Sequence, residues 1–260
     1  MLALLAFPLA AALASPPAVR LTPEQAREIG LKIWHNEAGG QVRLLTDWNK
    51  GEAFGSFGIG HFIWYPAGER GPFTESFPGA LDAIAASGAA LPAWLRGHPH
   101  CPWPNREAFY KDFDGERLTA LRALLASTVD AQAMYAVARM ENSLPEILAA
   151  AESSERAALQ ARFDAVAAAP NGVYALVDYV NFKGEGVNPS ERYDGLGWGL
   201  LQVLELMGDA APGQPAVEAF ELGAEAALKR RVAHAPPGRR ALERGWLPGW
   251  LARVKTYLEP

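Results

Sequence analysis

Glu37 stands where a carboxylate is useful for chemistry. It follows Ala26, Ile29 and Ile33 along one face of a stretch that opens at Thr22-Pro23-Glu24-Gln25 and stops at Gly39-Gly40. That spacing predicts a helix with Glu37 in its last turn, facing inward. A carboxylate there meets the negative end of the helix dipole, and burial beside Ile33 and Trp34 strips its hydration, so both effects favour keeping the proton. A held proton is what acid catalysis requires: it goes to a leaving oxygen while a second polar group positions water or stabilises the developing cation. Candidates for that second group follow closely in Asp47, Asn49 and Glu52, around an expected turn, and in Ser56 beyond it.

The elements that must position these groups are legible in outline. Thr22 reads as an N-cap with Pro23 at the first helical position and Gln25 completing a capping box. From Val42 the pattern changes to a short strand-like run, a turn at Asn49-Lys50-Gly51 and a second run over 57–65, which together predict a β-hairpin. Residues 66–104 are rich in Gly, Pro and Trp and read as a long loop with one short helix near 79–87. Beyond them, Ala- and Leu-rich stretches predict helices over 115–127, 129–142, 154–168, 173–181, 198–207, 216–233 and 248–258.

Two groups of residues carry a family resemblance. Asn36-Glu37-Ala38-Gly39-Gly40, followed by Phe54-Gly55-Ser56-Phe57-Gly58-Ile59-Gly60-His61-Phe62, resembles the phage-type lysozymes, glycoside hydrolase family 24, whose pattern is a helix ending in Glu-Gly, a hairpin carrying Asp and Thr, and then Gly-Ile-Gly-His. Later, Ala175-Leu176 through Asn181-Phe182-Lys183-Gly184 is similar to that family's buried helix ending in Asn-x-Gly. The likeness covers 22–65 and 173–207. It implies an α+β, mainly helical, lysozyme-like fold with a small β-hairpin lobe and a larger helical lobe. It also implies Glu37 as general acid, Ser56 in the place of the Thr, and a β-1,4-linked amino-sugar polymer, peptidoglycan or a relative, as substrate. The hairpin is longer than the family's, so Asp47, Asn49 and Glu52 all stay open for the Asp position.

A weaker similarity points elsewhere. Glu185-Gly186-Val187-Asn188-Pro189, with Gly197-Trp198-Gly199-Leu200-Leu201-Gln202, resembles elements of soluble lytic transglycosylases, in which Glu185 would be the acid. Between these readings, Glu185, Arg192, Tyr193 and Gln202 are expected on the opposite wall of one cleft, with His61 and Trp64 also facing substrate. Trp48, Trp64, Tyr65 and Trp198 have rings that could stack on pyranose faces, although core packing is the better explanation of any one of them. A non-catalytic wall-binding module that retains the cleft is the third reading. Whether the glycan is hydrolysed or transglycosylated, and with which stereochemical outcome, stays open.

Composition limits the rest. The 260 residues carry 24 Lys and Arg against 29 Asp and Glu, half of them are apolar, and there is a single cysteine. No basic footprint for nucleic acid stands out, although Lys229-Arg230-Arg231 and Arg239-Arg240 make a modest local patch. Cys101 has no partner for a disulfide. His98, His100 and Cys101 offer donor atoms, but no fourth ligand is evident, so no metal and no cofactor are expected. Residues 1–14 are apolar, too short to span a bilayer and end in Ala12-Leu13-Ala14, which reads as a signal peptide. A linker over 15–21 and one catalytic domain over 22–260 follow. The expected location is periplasmic or secreted, with no membrane span after cleavage.

Overall fold

A computed structural model describes residues 19–71, 73–97 and 99–259. The leader and most of the linker lie outside them. Helix α1 (Pro23–Ala38) starts as its sequence dictates: the Thr22 hydroxyl accepts from the Gln25 backbone, and the Gln25 side chain accepts from the Thr22 N–H. It ends at Gly39, whose φ of 57° lets the amide reach back to the carbonyls of Trp34 and His35. A three-stranded antiparallel sheet follows, built from β1 (Thr46–Asp47), β2 (Gly55–Phe57) and β3 (Phe62–Trp64) in that order.

The rest is mainly helical: α2 (Phe77–Ala86), α3 (Arg106–Lys111), α4 (Glu116–Ser127), α5 (Val129–Ala150), α6 (Arg156–Ala167) and α7 (Pro170–Lys183) come first. A two-stranded ribbon of β4 (Arg192–Tyr193) and β5 (Leu196–Gly197) leads to α8 (Leu200–Leu206), α9 (Gln214–His234) and α10 (Pro237–Lys255). The architecture is α+β and mainly helical, with one small sheet near the N-terminal end.

Two apolar clusters organise the chain. One surrounds the sheet and is largely aromatic, with Trp48, Phe57, Trp64, Phe77, Trp103 and Phe109 in contact with one another. The other surrounds α7, every residue of which from 171 to 180 is buried among α5, α6, α8 and α9. Helix α1 serves both, giving Trp34 to the first and Ile29 and Ile33 to the second. It packs most extensively on α5, and Gly30 permits the approach, because a Cβ there would lie 2.6 Å from Val129 Cγ1.

Several expectations need correction. The run over 57–65 is not one strand: Gly58 (φ 78°) and His61 (φ 47°) turn the chain between β2 and β3, so the hairpin becomes a three-stranded meander. Val42–Leu45 forms a 3-10 turn rather than a strand. The short α3 was not anticipated. Helix α10 begins eleven residues before the expected start at 248, with Pro248 inside it, and α5 runs on through Pro145. Both prolines read as boundaries by local rules, which tertiary packing overrides.

Candidate active site

The Gly58–His61 turn is built to close tolerances. The Gln132 side chain of α5 accepts from the Ile59 N–H at 3.0 Å, and a Cβ on Gly58 would sit 2.3 Å from that same oxygen. A Cβ on Gly60 would lie 3.0 Å from Asn181 Oδ1. Glycine at 58 and 60 therefore lets the turn lie against α5 and α7. The positive φ of His61 aims its ring back toward α1, with Nε2 donating to the Leu44 carbonyl at 3.2 Å. A carbonyl only accepts, so Nε2 carries the hydrogen and Nδ1 is left to face Glu37 Oε2 at 3.7 Å.

Glu37 is mostly enclosed, with its side chain 16% exposed. Oε1 accepts from Asn181 Nδ2 at 3.0 Å and from the Arg253 guanidinium at 2.5 Å. Arg253 comes from α10 and also binds both oxygens of Asp178, at 2.8 and 2.9 Å. Asp178 is fully buried and accepts from Tyr257 and Asn36 as well. Burial opposes the guanidinium charge, but Asp178 and Glu37 more than restore it, so Arg253 is held cationic beyond the usual arginine range. The expectation that Glu37 has only a helix end and apolar neighbours is thus corrected: a cation from the far end of the chain sits on one of its oxygens.

The remaining hairpin candidates separate. Asn49 is exposed at the turn, and its carbonyl accepts from the Glu52 N–H at 3.3 Å. Asp47 accepts from the Tyr110 hydroxyl at 2.6 Å, which ties β1 to α3. Glu52 is half-buried, with Oε2 enclosed and unpartnered. Burial pushes its carboxyl up, Asp47 adds to this, and Asn49 and His61 partly offset it. Ser56 is buried in the central strand opposite Asp47 and Ile63, and no protein group among the described residues bonds its hydroxyl. No hydrogen bond links Glu37 directly to Asn49, Glu52 or Ser56 among the described residues.

A cleft of about 720 Å³ adjoins this cluster. It runs between the sheet side, from Gly60 to Ser76, and the helical side, where α5 gives Arg139 and Glu146, α7 gives Asn181 and Lys183, and the following loop gives Glu185 and Glu191. Glu37 is not a lining residue, but its neighbours His61 and Asn181 are. Glu185 lies in the cleft wall with Oε1 3.8 Å from Arg139.

The other expected wall residues are placed elsewhere. Gln202 is buried and ties the loop after α7 to α8, donating to the Gly186 carbonyl at 3.1 Å and accepting from the Gly199 N–H at 3.0 Å. The Tyr193 hydroxyl donates to buried Glu243 at 2.7 Å. Trp64 is fully buried, with Nε1 donating to the Pro99 carbonyl, and has no face left for a sugar ring. Trp198 does line the cleft, under the Arg231 guanidinium at 4.1 Å.

Among the described residues no group of three or more His, Cys, Asp and Glu could hold a metal ion. His98 lies outside them, and Cys101 is a buried thiol that burial pushes up to about 12. Nor is any described helix long and apolar enough to cross a membrane. Sequence reasoning missed Arg253, Asp178, Gln132, Arg139 and Lys183. Asp178 and Lys183 stand inside the second motif and so carried a signal, whereas nothing local marks Arg253, which lies 216 positions from Glu37. No family model, curated protein or solved structure matches this chain.

Proposed function

We propose that this protein cleaves the β-1,4-linked glycan strands of bacterial cell wall in a lysozyme-like fold, with Glu37 as general acid. One observation carries the reading: Glu37 and Asn181, which anchor two separate motif likenesses 144 positions apart, meet in a hydrogen bond at the edge of the cleft. Motif spacing alone does not require that meeting.

In this chemistry Glu37 Oε2, the oxygen without a hydrogen bond, protonates the glycosidic oxygen and the C1–O bond breaks. The Glu37 carboxylate left behind faces the oxocarbenium-like charge, and water then attacks C1 and returns a proton to Glu37. The Ser56 hydroxyl, without a hydrogen-bond partner among the described residues, suits the positioning of that water. His61 Nδ1, 3.7 Å from Oε2, places the imidazole beside the reacting oxygen. The apolar leader fits a protein exported to where such a substrate lies.

A second assignment of roles is favoured by Glu52, whose carboxyl is pushed up by burial, while Glu37 carries the Arg253 guanidinium on Oε1. Two carboxyl groups whose environments differ in this way can divide the acid and base roles. Leaving-group chemistry separates the assignments, because an aryl glycoside with an acidic phenol leaves without protonation and spares only the variant that lost the acid.

The deciding experiment is digestion of purified peptidoglycan by the protein beside Glu37→Gln, Glu52→Gln and Glu185→Gln, with products weighed by mass spectrometry. Reducing-end fragments, lost about a thousandfold with a folded Glu37→Gln protein, support the reading. Anhydro ends lost only with Glu185→Gln would move the acid to the cleft wall and make the reaction a transglycosylation. Binding to wall without any soluble release would make the protein a non-catalytic wall binder.

A further inference from the structure

The cleft holds a lysine that forms no ion pair among the described residues. Lys183 closes α7 and lines the cleft, with its ammonium 3.8 Å from the Phe182 ring centroid and 3.6 Å from that of Trp250. The same two rings carry the guanidinium of Arg253, 4.2 Å from Phe182, and that of Arg231, 5.0 Å from Trp250. Three basic side chains thus share two aromatic rings. Arg253 is balanced by Asp178 and Glu37, and Arg231 by Glu243. Lys183 has neither an ion pair nor a side-chain hydrogen bond among the described residues.

Aromatic faces attract a cation but accept hydrogen bonds poorly, so the Lys183 amine has no acceptor for its donors among the described residues. The charged groups around it come from three helices: Arg231 of α9, Arg253 and Glu243 of α10, and Glu37 of α1. Burial, then the two guanidinium groups, push the amine down to about 6 against the pull of the two carboxylates. A carboxylate arriving from the cleft would supply both the missing charge and the missing acceptors.

Resting on the reading of the cleft as a glycan site, we propose that Lys183 binds a carboxylate of the ligand. It thereby selects glycans that carry carboxylate substituents over neutral amino-sugar polymers. The amine must be charged to bind, so binding between pH 6 and the higher bound-state value takes up a proton, and affinity for the anion falls as pH rises above 6.

Calorimetry on the folded Glu37→Gln protein at pH 7 tests this with two tetrasaccharides: alternating N-acetylglucosamine and N-acetylmuramic acid, whose lactyl groups carry carboxylates, and chitotetraose, which has none. Running each in two buffers of different ionisation enthalpy reports proton uptake. The acidic sugar is expected to bind roughly ten- to hundredfold more tightly, the range of a charge-assisted bond, with net proton uptake. Lys183→Met should abolish both the preference and the uptake while leaving chitotetraose affinity within about twofold. Lys183→Arg should keep the preference and lose the uptake, because arginine does not titrate here. Equal affinities, or a preference that survives in a folded Lys183→Met protein, overturn the inference alone. If neither sugar binds, the glycan reading falls and this inference falls with it.

Discussion

Two glutamates, Glu243 and Glu37, contact arginines of α10, and they are treated in opposite ways. Glu243 is fully enclosed: Oε1 accepts from Tyr193, Arg231 and Arg239 at 2.7 to 3.1 Å, and Oε2 from Arg231 at 3.0 Å. Glu37 has one oxygen held by Asn181 and Arg253, while the other has no hydrogen bond among the described residues and faces His61 beside the cleft. The first carboxylate has both oxygens engaged and no access to substrate. The second is anchored firmly enough to be positioned and left open enough to react. What distinguishes a structural ion cluster from a candidate catalytic one in this molecule is the unbonded oxygen, since both clusters contain arginine and both are largely buried.

Substituting each carboxylate should separate the two most strongly. Glu37→Gln is expected to remove wall cleavage by about three orders of magnitude, the scale of a lost general acid. Its melting temperature should barely move, because Arg253 keeps both bonds to Asp178. Glu243→Gln leaves Arg231 and Arg239 facing each other without a countercharge, at a cost of about 3 to 5 kcal/mol. In a domain of this size that lowers the melting point by roughly 10 °C. Thermal melts and wall digestion on both variants check this. A large stability loss in Glu37→Gln would erase the contrast.

Acid should sharpen it. Burial alone would raise the Glu243 carboxyl, but hydrogen bonds from Arg231 and Tyr193 outweigh it and hold the group below the usual glutamate range. A depressed folded-state value means that its contribution is complete above the unfolded glutamate range near 4.3 and is lost as pH falls through the lower folded one. The gap in melting temperature between the protein and Glu243→Gln should therefore be constant near neutrality and narrow below about pH 4. A gap that stays constant down to pH 2 would show that packing, not charge, sets the cost.

How much of this was legible in the sequence follows from how local each feature is. The start and stop of α1, and so the position of Glu37, were readable because Thr22, Pro23, Gln25 and Gly39 encode them within a few residues. Helices α4, α6 and α9 were readable from composition and period. The Gly58–His61 turn was not, because Phe57, Ile59 and Phe62 look like strand and only the packed Gln132 shows why the backbone must turn there. Gln202 and Tyr193 read as wall residues because they fall within the transglycosylase-like stretch 185–202, but their partners Gly186 and Glu243 fix them as braces. Arg253 could not have been read: one basic residue in a basic helix acquires meaning only once α10 has folded back across α1 and α7.

The smallest effect tests that last distinction. Tyr193→Phe removes one hydrogen bond to Glu243 and leaves three from arginines in place, so the loss should be about 1.5 kcal/mol, the low end for a bond to a charged group. If Tyr193 only braces the β4–β5 ribbon against α10, this modest drop in stability comes with wall digestion and tetrasaccharide affinity unchanged. If substrate affinity falls more than stability does, the ribbon is a working wall of the cleft. Glu243 and its arginines would then belong to the same functional unit as Glu37, and the division between closed and open carboxylates would no longer separate structure from function.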